Sequence, residues 1–364
     1  MDPLTANHPA GALLSHGVVV AIDGGGSKTD AVAIDRAGVV RAHSRGAASN
    51  PQTQGLDVAV AVVDSLVTEV LESAGLPLLG TGIFISGLDL EVEIESFREA
   101  IAPLPWAAIG SSVIDNDMFA LLRAGTQESN AIAVVCGTGI NCVGVRADGE
   151  TARFPALGAI SGDWGGGSQL GEQALWHAAR AADGRGAATE FSRSIPDFFG
   201  LPDIRAVIEG LHFGRISGAS VALLSPIVFD AADEGDVIAA SILDRQAEEI
   251  VALAGAAIAR LNLHDLPIPV VLGGGVLAAG NLPFLASIEE KLSRRCPLAR
   301  ALLVRDRPIV GAALLTLEAA GAALEVTVSA QSALARTFAR LDETTRLDET
   351  TRLDETTQLD ETRG

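Results

Sequence analysis

The stretch VVVAIDGGGSKTDAVAID, Val18 to Asp35, constrains the fold more than any other part of the chain. Gly24-Gly25-Gly26-Ser27-Lys28-Thr29 stands between two apolar runs. Glycine-rich loops in that setting commonly hold phosphate, and counting decides between the kinds. A P-loop reads Gly-x-x-x-x-Gly-Lys-Ser/Thr, but Ser27 precedes Lys28 here. A dinucleotide fingerprint reads G-x-G-x-x-G/A and opens a helix. Here the third position is Thr29, and the following DAVAID alternates like a strand before Gly38. The loop therefore joins strand to strand, as a hairpin with a polar, glycine-rich tip.

Such a tip suits an anion. Glycines let successive backbone N–H groups converge on one concavity. Ser27 and Thr29 add hydroxyls, and Lys28 adds a cation in a chain whose one other lysine is Lys291. Asp23, at the end of the first strand, is placed to hold Mg²⁺ through water. An ordinary tight hairpin would also account for this one segment. The plan recurs, however, in AIAVVCGTGINCVGVRADG, Ala131 to Gly149, around Gly137-Thr138-Gly139. A third segment, PIPVVLGGGVLAAG, runs a strand into Gly273-Gly274-Gly275 and then a helix.

Together these three segments resemble the sugar-kinase/Hsp70/actin superfamily, and within it the BadF/BadG/BcrA/BcrD-type ATPases that include N-acetylglucosamine and glucosamine kinases. The resemblance covers roughly residues 18 to 320. It implies an α/β protein of two RNase-H-like (actin-like ATPase) domains with ATP·Mg²⁺ in the cleft between them. It makes the first hairpin the phosphate-1 motif, the second phosphate-2 and the third segment the adenosine motif. The ATP-binding set is then Gly24, Gly25, Gly26, Ser27, Lys28, Thr29, Gly137, Thr138, Gly139, Gly273, Gly274 and Gly275, with Asp23 toward the metal. The expected division is an extension over 1–17, an N-terminal domain over 18–119, a C-terminal domain with a helical insertion over 120–330, and a tail over 331–364.

Between the hairpins, AIGSSVIDNDMFALLRAG reads as a short strand, the polar Asp115-Asn116-Asp117, and a helix from Met118. Ligands of α/β proteins gather at carboxyl ends of strands. Asp and Asn also start helices, and both roles fit here. The resemblance makes Asp117 the catalytic base, and matches Asn50, Asn141 and Asp163 to sugar-binding positions alongside it. After the second hairpin a helix is expected near Ser168, led in by Gly165-Gly166-Gly167. Many amino-sugar kinases of the family read Gly-Trp-Gly and Gly-Asp-Glu-Gly there. This chain has Ala156-Leu157-Gly158 and Gly162-Asp163-Trp164-Gly165. Asp236 to Leu261 reads as a long helix, and His212 as a partly buried structural residue, with a sugar contact as the alternative.

Composition narrows the partners. The 364 residues are 48% apolar and 20% charged, with a formal net charge of −20. That argues against nucleic acid and anionic membrane surfaces. No apolar run has the length of a membrane span and the first residues do not read as a signal peptide. Cys136, Cys142 and Cys296 contain no CxxC, and the histidines are scattered, so a reduced, cytoplasmic setting without a metal cluster is expected. RLDETTRLDETTRLDETTQLDETRG, from Arg340, is a repeat whose leucines spiral round a helix and form no seam, so it reads as a solvated tail.

The expected activity is ATP-dependent phosphorylation of an amino sugar at its 6-hydroxyl, with Mg²⁺ as cofactor, ATP and the amino sugar as partners, and a homodimer implied by the resemblance. Glucosamine is the expected acceptor: an acidic chain suits an ammonium, and the family's tryptophan is replaced by Leu157. N-acetylglucosamine is the alternative. Two other readings are an ATPase that drives a partner reductase and a nucleotide-dependent binding module.

Overall fold

In the computed structural model, residues 16–323 and 326–340 are described, and they form two compact units. The first comprises the described residues up to Ala124 together with those from Asp306 onward; the second is Gly125–Arg305. The expected C-terminal domain over 120–330 differs at its far end, because residues beyond Arg305 go back to the first unit.

The first unit has five strands: β1 (Val18–Gly24), β2 (Thr29–Asp35), β3 (Val40–Gly46), β4 (Leu78–Ile85) and β5 (Ser111–Asp115). Their order is β3-β2-β1-β4-β5, antiparallel through the hairpins and parallel from β1 to β5. The parallel pairs need crossovers, and helices supply them. Helix α1 (Leu56–Ala74) presents Ala59, Val63, Leu66, Val67 and Val70 as one buried stripe to Val18, Val20 and Ile22. Each such aliphatic side chain stabilises by about 1.5–3 kcal/mol when fully buried. Helix α2 (Glu91–Ile101) adds Ile94, Phe97 and Ile101 to the same core. Helix α3 (Asp117–Gly125) follows β5 directly.

The second unit repeats this plan. Its strands are β6 (Ala131–Cys136), β7 (Ile140–Val145), β8 (Thr151–Arg153), β9 (Ile268–Gly273) and β10 (Ala299–Leu303), in the order β8-β7-β6-β9-β10. Five helices occupy the crossover from β8 to β9: α4 (Gly166–Ala182), α5 (Phe191–Phe199), α6 (Ile204–His212), α7 (Ser225–Asp233) and α8 (Val237–Arg260). Helix α9 (Leu282–Arg295) links β9 to β10. Asp236 caps α8 by accepting from the N–H groups of Ile238 and Ala239.

Helix α10 (Pro308–Ala319) packs on β1 and β4 of the first unit. Close approach fixes it there. A Cβ on Gly82 would lie 1.9 Å from Thr316 Oγ1, and one on Gly311 would lie 1.9 Å from the Ala120 carbonyl on α3. Residues 326–340 are also helical, and bury Thr327, Ala330, Leu334 and Phe338. Phe338 meets His43 edge-on at 5.2 Å, beneath the Arg307 guanidinium. The expected tail over 331–364 therefore starts too early, since 331–340 belong to a packed helix. The repeat from 341 onward and residues 1–15 lie outside the described residues. No described helix is long and apolar enough to cross a membrane.

Candidate active site

The first hairpin is built as the alternation requires, with β1 and β2 paired from Val18–Asp35 up to Gly24–Thr29. Its tip divides into parts that build and parts that face solvent. A Cβ on Gly24 would lie 2.3 Å from Ser49 Oγ. The Gly24 carbonyl accepts the Ser86 N–H at 2.8 Å, and the Gly25 carbonyl accepts the Ser49 N–H at 3.2 Å. Gly25 N–H donates to the Lys28 carbonyl at 2.9 Å. Thr29 is fully buried, with its hydroxyl 2.6 Å from the Ala47 carbonyl and 2.8 Å from Ser49 Oγ. The Gly25 N–H and the Thr29 hydroxyl thus hold the hairpin, and the Gly24 carbonyl ties it to Ser86. Gly26, Ser27 and Lys28 are exposed.

Asp23 faces Asp30 across the ladder, and the two carboxylates differ sharply. Asp30 is bonded by Arg45 Nε at 2.7 Å and approached by His43 Nε2 at 3.4 Å. Burial raises its affinity for a proton, but those two hydrogen bonds, together with the charges of Arg45 and Lys28, outweigh it and hold the carboxyl below the usual range. For Asp23, burial and then the charge of Asp30 push the carboxyl up to about 7, against the smaller pull of Lys28 and the Ile309 N–H.

At the end of β5, Asn116 takes the capping role. Its Oδ1 accepts the Met118 N–H at 3.0 Å, and its backbone carbonyl accepts the Phe119 N–H at 3.2 Å. This leaves Asp117, the first residue of α3, without that duty. A helix N-terminus favours a carboxylate. Burial nevertheless dominates, and with the nearby charges of Asp23 and Asp89 it pushes Asp117 up to about 8.

Asp89 is the site residue that the sequence reading missed. Its Oδ1 accepts from Asn116 Nδ2 at 3.0 Å and its Oδ2 from Gln52 Nε2 at 3.1 Å. Its backbone N–H, with that of Leu90, donates to Glu93 Oε2 at 2.9 Å. The available signal was the glutamate three residues after Leu90, a capping pattern at the start of α2. Asn50 lies close by in this network, donating from Nδ2 to Ser86 Oγ at 3.2 Å. Its Oδ1 caps the single helical turn Pro51–Gln54. Gly87, at φ +82°, leaves no space for a side chain against Asn50.

In the second unit, the turn Gly137-Thr138-Gly139 is closed by Gly137 N–H on the Gly139 carbonyl at 2.9 Å. The first amides of α4 secure it: Gly167 N–H reaches the Gly137 carbonyl at 2.8 Å and Ser168 N–H the Thr138 carbonyl at 3.0 Å. Helix α4 begins at Gly166, earlier than expected, so two of its three lead-in glycines are already helical. Gly273 ends β9 in the core. Gly274, at φ +94°, touches the same turn, and a Cβ there would lie 2.5 Å from the Cys136 carbonyl. Gly275 opens a single helical turn, Gly275–Ala278, with open space at its Cβ position.

Asn141 lies on β7 opposite Val135, its Oδ1 accepting the Cys142 N–H at 2.7 Å. Asp163 accepts from the Ser161 hydroxyl and donates its own N–H to the Gly158 carbonyl at 3.0 Å. Its neighbour Trp164 packs on the core, with the Arg245 guanidinium 3.9 Å above the ring. Cys136 and Cys142 are buried strand residues, and burial pushes the Cys136 thiol up to about 12 and Cys142 higher still. His212 is exposed at the end of α6, contrary to the expected partly buried position. Among the described residues no group of three or more His, Cys, Asp or Glu could hold a metal.

The chain is 30% identical over 322 residues to the N-acetyl-D-glucosamine kinase of Dictyostelium discoideum, covering 84% of this chain and 99% of that protein. It is 26% identical over 305 residues to the N-acetylmuramic acid/N-acetylglucosamine kinase of Clostridium acetobutylicum, covering 82% and 97%. A solved structure from Chromobacterium violaceum, whose proposed name is N-acetylglucosamine kinase, superposes with a TM-score of 0.64 and 26% identity over 83% of this chain and 99% of that one. A ROK family glucokinase from Streptomyces griseus, solved with glucose and AMPPNP, shares the fold at a TM-score of 0.50 and 18% identity, covering 83% and 100%. Both units thus have the RNase-H-like plan of the actin-like ATPases. A sequence model of one family matches residues 20–316, and the chain belongs to it: the BadF/BadG/BcrA/BcrD ATPase family.

Proposed function

We propose that this protein is an ATP-dependent amino-sugar kinase whose acceptor is N-acetylglucosamine or a close N-acetylated relative, phosphorylated at the 6-hydroxyl. The observation that carries the chemistry is the Asp117 carboxyl. It sits at the first residue of α3, is relieved of capping by Asn116, and has a proton affinity raised to about 8. A general base works best with an affinity near the operating pH. Asp117 accepts the proton of the attacking hydroxyl, while Lys28 and the exposed amides of Gly26 and Ser27 face the developing charge on the transferred group. Phosphoryl transfer depends mainly on such positioning and electrostatics.

Asp23 fits Mg²⁺. It is a hard oxygen donor at a strand end, and its acidity is weakened by burial and by a facing carboxylate, both of which a cation reverses. Mg²⁺ is commonly held by one or two carboxylates, water and phosphate. When bound, it supplies charge neutralisation at the phosphates. Asn50, Asn141 and Asp163 contribute hydrogen-bonding groups to the sugar.

N-acetylglucosamine now stands ahead of glucosamine. The named relatives act on N-acetylated sugars. Three carboxylates that an ammonium would need are also engaged: Asp89 by Asn116 and Gln52, Glu93 by backbone amides, and Asp163 by Ser161. The test is sugar-dependent ADP release at fixed ATP with N-acetylglucosamine, glucosamine and glucose. The expected result is the highest kcat/KM with N-acetylglucosamine. A preference for glucosamine overturns the acceptor; no turnover with any amino sugar overturns the kinase.

A further inference from the structure

Helix α8 packs on β6 and β7, at the centre of the second unit's sheet. Two consecutive residues on it, Arg245 and Gln246, engage the same loop. Arg245 covers the Trp164 ring. Gln246 is fully buried, and its Oε1 accepts the Gly166 N–H at 2.9 Å. Gly165, at φ +139°, lies so close that a Cβ would be 2.6 Å from Gln246 Nε2. On the other side, a Cβ on Gly166 would fall 2.5 Å from the Gly139 backbone. The Gly165–Gly166 peptide is therefore held between a buried amide and the phosphate-2 turn. Gln246 Nε2 has no hydrogen-bond partner among the described residues. A buried donor left unmade opposes folding, because water would have satisfied it in the unfolded chain. An apolar residue of that size would avoid this cost, but it would leave the Gly166 N–H without its acceptor.

We propose that Gln246, with Arg245 beside it, is a positioning residue that holds the sugar-side loop carrying Asp163 in register with the Gly137–Gly139 turn. The inference rests on reading Asp163 as a sugar ligand. Backbone curvature makes an external hold necessary: Ala156, Gly158, Gly162, Gly165 and Gly166 all have positive φ. Glycine at most of these positions leaves the loop free to take other conformations unless something outside it fixes one. Arg245 and Gln246 act on residues immediately after Asp163, so loss of their contacts changes where Asp163 stands and leaves the Asp117 base untouched.

The test is Gln246→Met, which keeps the volume and removes the acceptor, with Ile250→Val as a control one turn along the same buried face. Hydrogen exchange is followed over 156–168, and KM and kcat are measured with N-acetylglucosamine. Gln246→Met is expected to raise the sugar KM about tenfold, as loss of one anchoring hydrogen bond would, with kcat nearly kept. It should also speed exchange at Gly166, whereas Ile250→Val does neither. Gln246→Glu, which keeps the acceptor, should restore slow exchange if Gln246→Met folds poorly. Wild-type exchange at Gly166 in Gln246→Met overturns the proposal whatever the kinetics. Faster exchange with an unchanged sugar KM also overturns it, provided Asp163→Ala raises that KM. If Asp163→Ala leaves the KM unchanged, the sugar-ligand reading fails first, and the proposal falls with it.

Discussion

The first hairpin leaves Gly26, Ser27 and Lys28 facing solvent, with Asp23 at its base and Asp117 near enough for the two charges to interact. The second has the same strand plan and no charged residue at its turn. Its carbonyls are instead bonded by the first amides of α4, and Gly274 presses on its base. One topology thus serves two purposes. On the proposed function, the first unit holds the groups that carry charge and protons in transfer. The second holds a turn whose shape is dictated by its neighbours. Substitutions in the first should change rates with little effect on stability, and those in the second should change stability along with affinity.

Asp117→Asn tests the chemical side most severely. Asn116 still caps α3, so folding is kept, while loss of a positioned base lowers kcat by about 10²–10⁴-fold. Steady-state kinetics with a fixed sugar decide this. A normal kcat here, with Asp115→Asn inactive, would move the base by two residues.

Lys28→Ala comes next. Removal of one preorganised charge-stabilising donor costs about 10²–10³-fold in kcat. The melting temperature should be unchanged, because substitution of an exposed residue of this kind is usually within about 0.5 kcal/mol. A clear fall in melting temperature at normal kcat would make the two hairpins alike and break the contrast.

Gly274→Ala probes the other side. It forces a side chain into φ +94° and against the Cys136 backbone. The expected loss is about 1–3 kcal/mol of stability, read by denaturant unfolding, with a raised KM for ATP. A variant as stable as wild type would show that the turn is not held by close approach.

The last test concerns pH in metal-free buffer. Asp117 is raised in the folded protein to about 8, from an unfolded value near 3.9. Its contribution is complete below the unfolded value and is lost as pH rises through the folded one. Asp117→Asn, lacking this group, should therefore unfold at a higher temperature than wild type above about pH 8, and the gap should close below about pH 4. Equal pH profiles would show that burial of this carboxyl does not oppose folding.

Much of this was legible in local sequence. The period-two runs at Val18–Asp35 and Ala131–Val145, each broken by glycines, allow little but a hairpin, and both hairpins fall where the pattern places them. The long α8 was equally legible, because its apolar spacing and its Asp236 cap are local signals. The Asp115-Asn116-Asp117 cluster was marked by its position after a strand, and the resemblance singled out Asp117 within it. Asp89 was not, since its partners Gln52 and Asn116 lie 37 and 27 residues away in sequence. The unit boundary was missed for a similar reason: nothing within residues 306–330 announces that Gly311 will touch Ala120 or that Thr316 will meet Gly82.

The sequence by itself determined the strands, the glycine turns, the exposed Lys28 and the candidate carboxylates, because these follow from side-chain period and backbone freedom over a few residues. Only the tertiary structure decided which glycines face outward and which exist for close packing. It also decided that Asp30 is paired while Asp23 is not held in the same way, and that Trp164 lies beneath Arg245. Those outcomes depend on burial and on partners brought together from distant segments, and no local pattern encodes the energy of a contact with a residue that has yet to arrive.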